Sequence, residues 1–287
     1  MTTLPHARHA PQAGAIGRIK LQAHALTPSL HRVATHILER PHTVVHQTIT
    51  ELAQDARVGE SSITRLCRKL GYPGFHAFKL ALTADVVTST PTPTPHGTTP
   101  SERASWLVRQ TTLTLEETTH LLNAATLERA AYAIAHAPRV DVTGQGNSGF
   151  MAQYFAHRLM RVGISATAHT DPHLAAVGAA TLPEQGVMIG ITASGSTIDT
   201  VHHLRLARER GRFTLAITQR ASSPVTRHAD AVLYAAGQEA PLNDDTLTSF
   251  TSQALLLDVL YTTITPHLPN APDTLRRTAE SVVEKKY

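Results

Sequence analysis

Two short stretches of glycine and hydroxyl residues are the places where this chain could do chemistry on a small molecule. The first is Val140-Asp-Val-Thr-Gly144-Gln-Gly146-Asn147-Ser148-Gly149-Phe150, a β-branched run that ends in glycines and passes into residues of helical apolar spacing. The second is Thr192-Ala-Ser194-Gly195-Ser196-Thr197, which follows the strand-like run at 186–192 and precedes another helical stretch. Where a strand turns into a helix, the first N–H groups of the helix lack partners within it and carry the positive end of its dipole. Glycine lets an anion approach that backbone, so each stretch suits a phosphate. The second stretch offers several hydroxyls and no lysine, unlike a P-loop.

Other chemistries are open at these residues. Gly144, Gly146 and Gly149 satisfy the G-x-G-x-x-G dinucleotide fingerprint, and Asp171, twenty-two residues past Gly149, stands near where a ribose-binding acid would sit. A dinucleotide would leave the second stretch without a role, and a lone fingerprint is a weak signal. A phosphosugar isomerase or lyase needs a general base and acid at the sugar carbons, and His173, Glu184 and Glu239 lie near expected strand ends. His173 better suits orienting a loop or a ligand hydroxyl, and Glu184, in Pro-Glu-Gln-Gly, reads as a solvated turn. The eighteen histidines are scattered and read mostly as surface residues; of their close pairs only His169 and His173 enclose a carboxylate, Asp171, and that trio lacks a fourth zinc ligand. No catalytic residue, metal or cofactor is therefore assigned.

A third constellation lies near the N-terminus. Residues 60–70 have helical spacing, with Ile63, Leu66, Cys67 and Leu70 on one stripe and Ser61, Ser62, Thr64, Arg65, Arg68 and Lys69 expected to face outward. Arg57-Val-Gly59 is a turn, residues 50–56 form a short helix before it, and Gly71 ends the second helix. Two short helices joined by such a turn make a helix-turn-helix, whose outer hydroxyls and guanidinium groups can reach base edges and phosphates. Charge agrees: residues 1–88 carry ten Lys or Arg against five Asp or Glu, while the whole chain has a net charge of only +4. A basic end on a near-neutral body is the footprint of a nucleic-acid-binding module.

The elements that must position these residues follow from periodicity. Helices are expected at 15–24 and 28–39, a connection at 44–48, and a further helix through Phe78, Leu80 and Ala84. Residues 1–13 lack periodicity and read as frayed. Residues 88–101, Thr-Ser-Thr-Pro-Thr-Pro-Thr-Pro-His-Gly-Thr-Thr-Pro-Ser, are a low-complexity linker that cannot bury a core. Beyond it, helices at 102–123 and 126–137 lead into strands at 140–143, 164–169, 186–192, 213–218 and 231–235, alternating with helices at 150–160, 172–180 and 197–210 and a short turn at 223–228. Such alternation means a parallel sheet covered on both faces. A long apolar helix at 246–264 and an amphipathic tail at 271–286 close the chain. The expected domains are 12–87, a linker at 88–101, and 102–287. No segment approaches a membrane span, the N-terminus lacks a signal core, and the single cysteine, Cys67, reads as core and fits a reducing compartment, so a cytoplasmic protein is expected.

The run Ile49-Thr-Glu-Leu-Ala-Gln-Asp-Ala-Arg-Val-Gly-Glu-Ser-Ser-Ile-Thr-Arg-Leu-Cys-Arg-Lys-Leu-Gly-Tyr-Pro-Gly-Phe-His-Ala-Phe-Lys79 resembles the DNA-binding domain of the RpiR family of bacterial transcriptional regulators. Gly59 stands where members usually begin the recognition helix with Ser; glycine is an acceptable N-cap. Thr192-x-Ser194-Gly195-x-Thr197 resembles the S-x-S-G-x-T signature of the sugar isomerase (SIS) domain, the effector half of that family, with Thr in place of the first Ser. Asp171-Pro-His173 and Arg205-x-Ala-x-Glu-Arg-Gly211 match the same domain.

The resemblance implies an all-α helix-turn-helix domain joined to an α/β domain with a five-stranded, parallel, doubly wound, flavodoxin-like sheet. It also implies that Ser194, Ser196 and Thr197 grip a phosphate and that Asn147 and Ser148 bind sugar hydroxyls, with Gly144, Gly146, Thr192, Gly195 and His173 completing the site. The partners expected are double-stranded operator DNA, a phosphorylated sugar effector and further copies of the chain as a dimer or tetramer. The apolar helix at 246–264 is the expected dimer element. The competing function is a phosphosugar isomerase or lyase.

Overall fold

The computed structural model describes residues 14–89, 99–237 and 246–283, which fall into two compact units, 14–89 and 99–237 with 246–283. The expected frayed start, the middle of the linker, Glu239 and the last residues of the tail lie outside the described residues.

The first unit is helical throughout: α1 (Ala15–Gln22, followed by a 3-10 turn), α2 (Pro28–Glu39), α3 (Pro41–Val44), α4 (Ile49–Asp55), α5 (Glu60–Lys69) and α6 (Phe75–Ser89). Ile19, Val33, Ile37, Val44, Leu52, Ile63, Leu66, Phe78 and Leu82 form one buried cluster that joins all six helices. Each such side chain contributes roughly 1.5–3 kcal/mol on full burial. Where a connection is expected at 44–48, α3 has already formed one turn behind Pro41, which is preset for a first helical position. Thr48 then starts α4: its hydroxyl accepts from Glu51 N at 3.1 Å while the Glu51 carboxylate accepts from Thr48 N at 2.7 Å. This reciprocal cap satisfies two amides that a helix start otherwise leaves unpaired.

The second unit opens with α7 (Pro100–His120), begun by the same device at Thr99 and Glu102, and α8 (Ala124–Ala135), capped by Asn123. Helix is thus present at both ends of the expected linker, to Ser89 and from Pro100. There follow β1 (Val140–Gly144), α9 (Asn147–Arg161), β2 (Ala166–His169), α10 (Pro172–Thr181), β3 (Val187–Ile191), α11 (Ile198–Glu209), β4 (Phe213–Thr218), a 3-10 turn at Pro224–His228, β5 (Ala231–Tyr234), α12 (Thr246–Ile264) and α13 (Ala271–Glu280). The five strands are all parallel in the order β2-β1-β3-β4-β5, the doubly wound arrangement expected.

Alternate residues of each strand face opposite layers. Val140, Val142, Ile189, Leu215 and Ile217 meet Phe155 and Leu159 of α9 and Leu256, Leu257 and Leu260 of α12. Met188 and Ala216 meet Ala179 of α10 and Leu204 and Ala207 of α11 on the other face. The apolar surface of α12, read from the sequence as room for a second copy, is largely covered within the chain, because α7, α8 and α9 all pack on it.

Candidate functional site

In the first unit α4 and α5 are joined by Arg57, in left-handed backbone with φ 51°, Val58 and Gly59. Gly59 occupies the N-cap without a side-chain cap bond. The outer face of α5 differs from expectation at one position. Ser62 is buried, because it lies one turn before Leu66 and so falls on the apolar stripe, and its hydroxyl lies 3.2 Å from Arg65 Nη2. Ser61, Arg65 and Arg68 are exposed, and Thr64 is half-buried with its hydroxyl turned back to the Glu60 carbonyl. Lys69 is exposed, but its Nζ donates to the Ala25 carbonyl at the end of the first helical segment. The Cys67 thiol is buried and burial pushes its pKa up to about 12, as befits a core residue.

In the second unit the two glycine-hydroxyl stretches close neighbouring strands, β1 and β3, at their carboxyl ends. From that point the chain winds outward in opposite directions, through α9 to β2 and through α11 to β4, the topological switch point outside which doubly wound sheets bind ligands.

At the end of β1, Gly144 passes directly beneath the first turn of α9; a Cβ there would stand 2.5 Å from the Ser148 carbonyl oxygen. Gly146, with φ 57°, is the N-cap, so α9 begins at Asn147 and not near Phe150 as apolar spacing alone would place it. Asn147 is exposed in the first turn, whereas Ser148 is mostly buried.

At the end of β3, Thr192 is buried and its hydroxyl lies 3.0 Å from that of Thr197, across the loop. Ser194 Oγ accepts from Ser196 N at 3.3 Å, and Ser196 Oγ donates to the Ser194 carbonyl at 3.2 Å. Gly195 has φ 64°, and its carbonyl accepts from Val225 N at 2.9 Å, which moors the loop to the turn after β4. Thr197 caps α11 without a side-chain bond to the helix. Ser194, Ser196 and Thr197 thus share one short turn at the start of α11, and the Thr192 hydroxyl is bonded to that of Thr197.

His173 is exposed on the first turn of α10, beyond edge strand β2. Asp171, the acid proposed for a ribose or a metal, caps α10 by accepting from Leu174 N at 2.8 Å. The other member of that trio, His169, has its Nε2 3.5 Å from the buried Asp141 carboxylate, which also pairs with Arg139 at 3.1 Å. Among the described residues no three His, Cys, Asp or Glu side chains gather as a metal site. Glu184 is exposed before β3, at the amino edge of the sheet and far along the strands from both loops.

Apart from its helical phase with Leu204 and Ala207, His203 carries no sequence signal that sets it apart from histidines that read mostly as surface residues. It is buried on α11, with Nδ1 3.1 Å from Thr143 Oγ1 and Nε2 2.9 Å from the Pro172 carbonyl. Burial holds its pKa below the ordinary histidine value. Among the described residues no helix is long and apolar enough to cross a membrane.

Comparison with known proteins covers both units. Residues 13–89 match the helix-turn-helix domain of the rpiR family, and residues 133–263 match the SIS domain. The HTH-type transcriptional regulator YbbH of Bacillus subtilis is 30% identical over 255 residues, 86% of this chain and 89% of the relative. A Haemophilus influenzae HTH-type transcriptional regulator is 29% identical over 273 residues, 91% and 94% of the two chains. Among solved structures, the Vibrio vulnificus NanR protein complexed with ManNAc-6P is 28% identical with a TM-score of 0.85, over 95% of this chain and 100% of that one.

Proposed function

This chain belongs to the rpiR family of helix-turn-helix transcriptional regulators, and from that premise we propose that a phosphorylated sugar bound at the carboxyl edge of β1 and β3 controls its affinity for operator DNA. The observation that carries this reading is the loop from Thr192 to Thr197, which brings the hydroxyls of Ser194, Ser196 and Thr197 to a helix start with no lysine among them, a donor set suited to one phosphate group. Asn147, exposed at the start of α9, meets a sugar hydroxyl in this reading. The structural relative's complex with ManNAc-6P supports the ligand class.

In this reading residues 12–87 bind DNA, 88–101 link, and 102–287 sense the effector in the cytoplasm. Two copies bind a two-fold operator through Ser61, Arg65 and Arg68, with Thr64 at the groove and Lys69 closer to the protein body. A phosphosugar that prefers one arrangement of the dimer shifts operator affinity by linkage, typically about 5–150-fold. Phosphosugar turnover is the competing activity, and the site is read here as a binding site: Glu184 stands at the wrong edge for it, and His173, exposed on the first turn of α10, better suits orienting a ligand hydroxyl.

The test is a mobility shift on DNA flanking the protein's own gene, with sugar phosphates and their unphosphorylated parents. One phosphosugar, and not its parent, is expected to change a specific shift. Ser194→Ala with Thr197→Ala should remove that response and leave ligand-free DNA binding intact; an unchanged response would sink the pocket assignment. Turnover of any sugar in the panel would establish the enzyme reading instead.

A further inference from the structure

One buried side chain on α11 bonds to the ends of two other strand-to-helix junctions, that of β1 with α9 and that of β2 with α10. His203 stands six residues past Thr197 on α11 and is 1% exposed. Its Nδ1 lies 3.1 Å from the hydroxyl of Thr143, the residue directly before Gly144, and its Nε2 lies 2.9 Å from the carbonyl of Pro172, the first residue of α10. Thr143 is itself fully buried, so its hydroxyl has no water to turn to. A carbonyl can only accept, so Nε2 carries the proton and donates it. Burial keeps the ring neutral, which leaves the Nδ1 lone pair for the Thr143 hydroxyl. The two partners together select one tautomer.

A joint whose only task was to hold two helices on a sheet would be apolar, and this face already has such a joint in Met188, Leu204, Ala207 and Ala179. The polar link is added at the carboxyl end, where the loops leave the strands. We propose that His203 is the positioning residue of the effector site: joined to Thr143 under the first loop and to α10, and rooted in α11 behind the second loop, it sets the separation of Gly144–Ser148 from Ser194–Thr197 that a single phosphosugar must span. The inference rests on the effector-site reading above. His203 touches no ligand in this role; it acts through Thr143 and through the placing of α11.

The test uses the full chain and calorimetric titration with ManNAc-6P and glucose 6-phosphate. His203→Leu removes both bonds, Thr143→Val removes the hydroxyl at nearly constant shape, and His203→Gln keeps an amide donor and acceptor. His203→Leu is expected to weaken the phosphosugar that wild type binds by about tenfold, with His203→Gln recovering part of the loss and ligand-free operator affinity unchanged in each. Because both substitutions break one link, His203→Leu with Thr143→Val should bind no more weakly than His203→Leu alone. If His203→Leu does not fold, Thr143→Val carries the test by itself with a loss of several-fold expected. Wild-type affinity in the folded variants, or losses that multiply fully in the double variant, overturns the positioning role alone. Failure of the wild-type chain to bind either phosphosugar overturns the effector reading for those ligands, and this proposal with it.

Discussion

At the scale of single residues, the second loop depends on a backbone that only glycine adopts comfortably. Gly195 has φ 64°, and a Cβ on it would meet Ser223 Oγ at 2.2 Å and Ser223 Cβ at 2.5 Å. Ser223 cannot step aside easily, being buried with its hydroxyl bonded to the Arg220 carbonyl. Gly195→Ala is therefore expected to cost about 1–3 kcal/mol in stability, seen in denaturant melts, and to abolish the phosphosugar response even where the chain still folds. The glycine and hydroxyls of this loop were legible because their chemistry is local. The contacts of Ser223 and His203 were not, since Ser223 lies twenty-eight residues from Gly195 and His203 sixty from Thr143, distances over which a residue pattern says nothing of contact.

At the scale of elements, periodicity located helices well and their starts less well. The bounds of α12 were legible because an apolar run ends at Ile264 before Pro266. The start of α9 was not, because Gly146 caps it through a left-handed backbone that apolar spacing does not register. Ser62 departs from the expected outward face for a related reason: its phase, four residues before Leu66, sets the hydroxyl on the inner stripe. The side chains of α5 now separate into roles. Arg68→Ala should weaken operator binding and lower the slope of log affinity against log salt by about 1, as expected for the loss of one phosphate contact. Ser62→Ala should leave that slope unchanged, and Lys69→Ala should lower it less than Arg68→Ala because Nζ is held by the Ala25 carbonyl. Equal slopes for the Arg68 and Lys69 variants would show that both side chains reach DNA.

At the scale of the molecule, the alternation of strands and helices made the parallel sheet legible, while what covers α12 was not, because surface apolarity does not say whose helices it meets. Stability should also depend on pH in a determinate direction. Burial moves His203 below the ordinary value of 6.5, and His228 is moved the same way by burial and then by Arg205, Arg208 and Arg227. Around His203 stand His202 and Asp199 of α11 and His169 of β2. As pH falls past 6.5 the unfolded chain takes up protons that the folded chain resists, so the unfolded state gains. Melting temperature should hold above about pH 6.5 and decline below it, and His203→Gln should flatten part of that decline; a melting temperature that rises on acidification would contradict the assignment.

The connectivity of the sheet has a further consequence, in time. Residues 14–89 hold a complete buried cluster of their own, whereas β1 cannot gain its central neighbour until β3 has been made, some forty-seven residues later, and the sheet is closed only by α12. Helical units with local contacts fold faster than parallel sheets, and chains fold from the N-terminus as they are synthesised. The helix-turn-helix unit is therefore expected to fold on the ribosome before the sensing sheet exists, and a chain broken off inside the sheet should keep that unit out of reach of any sugar.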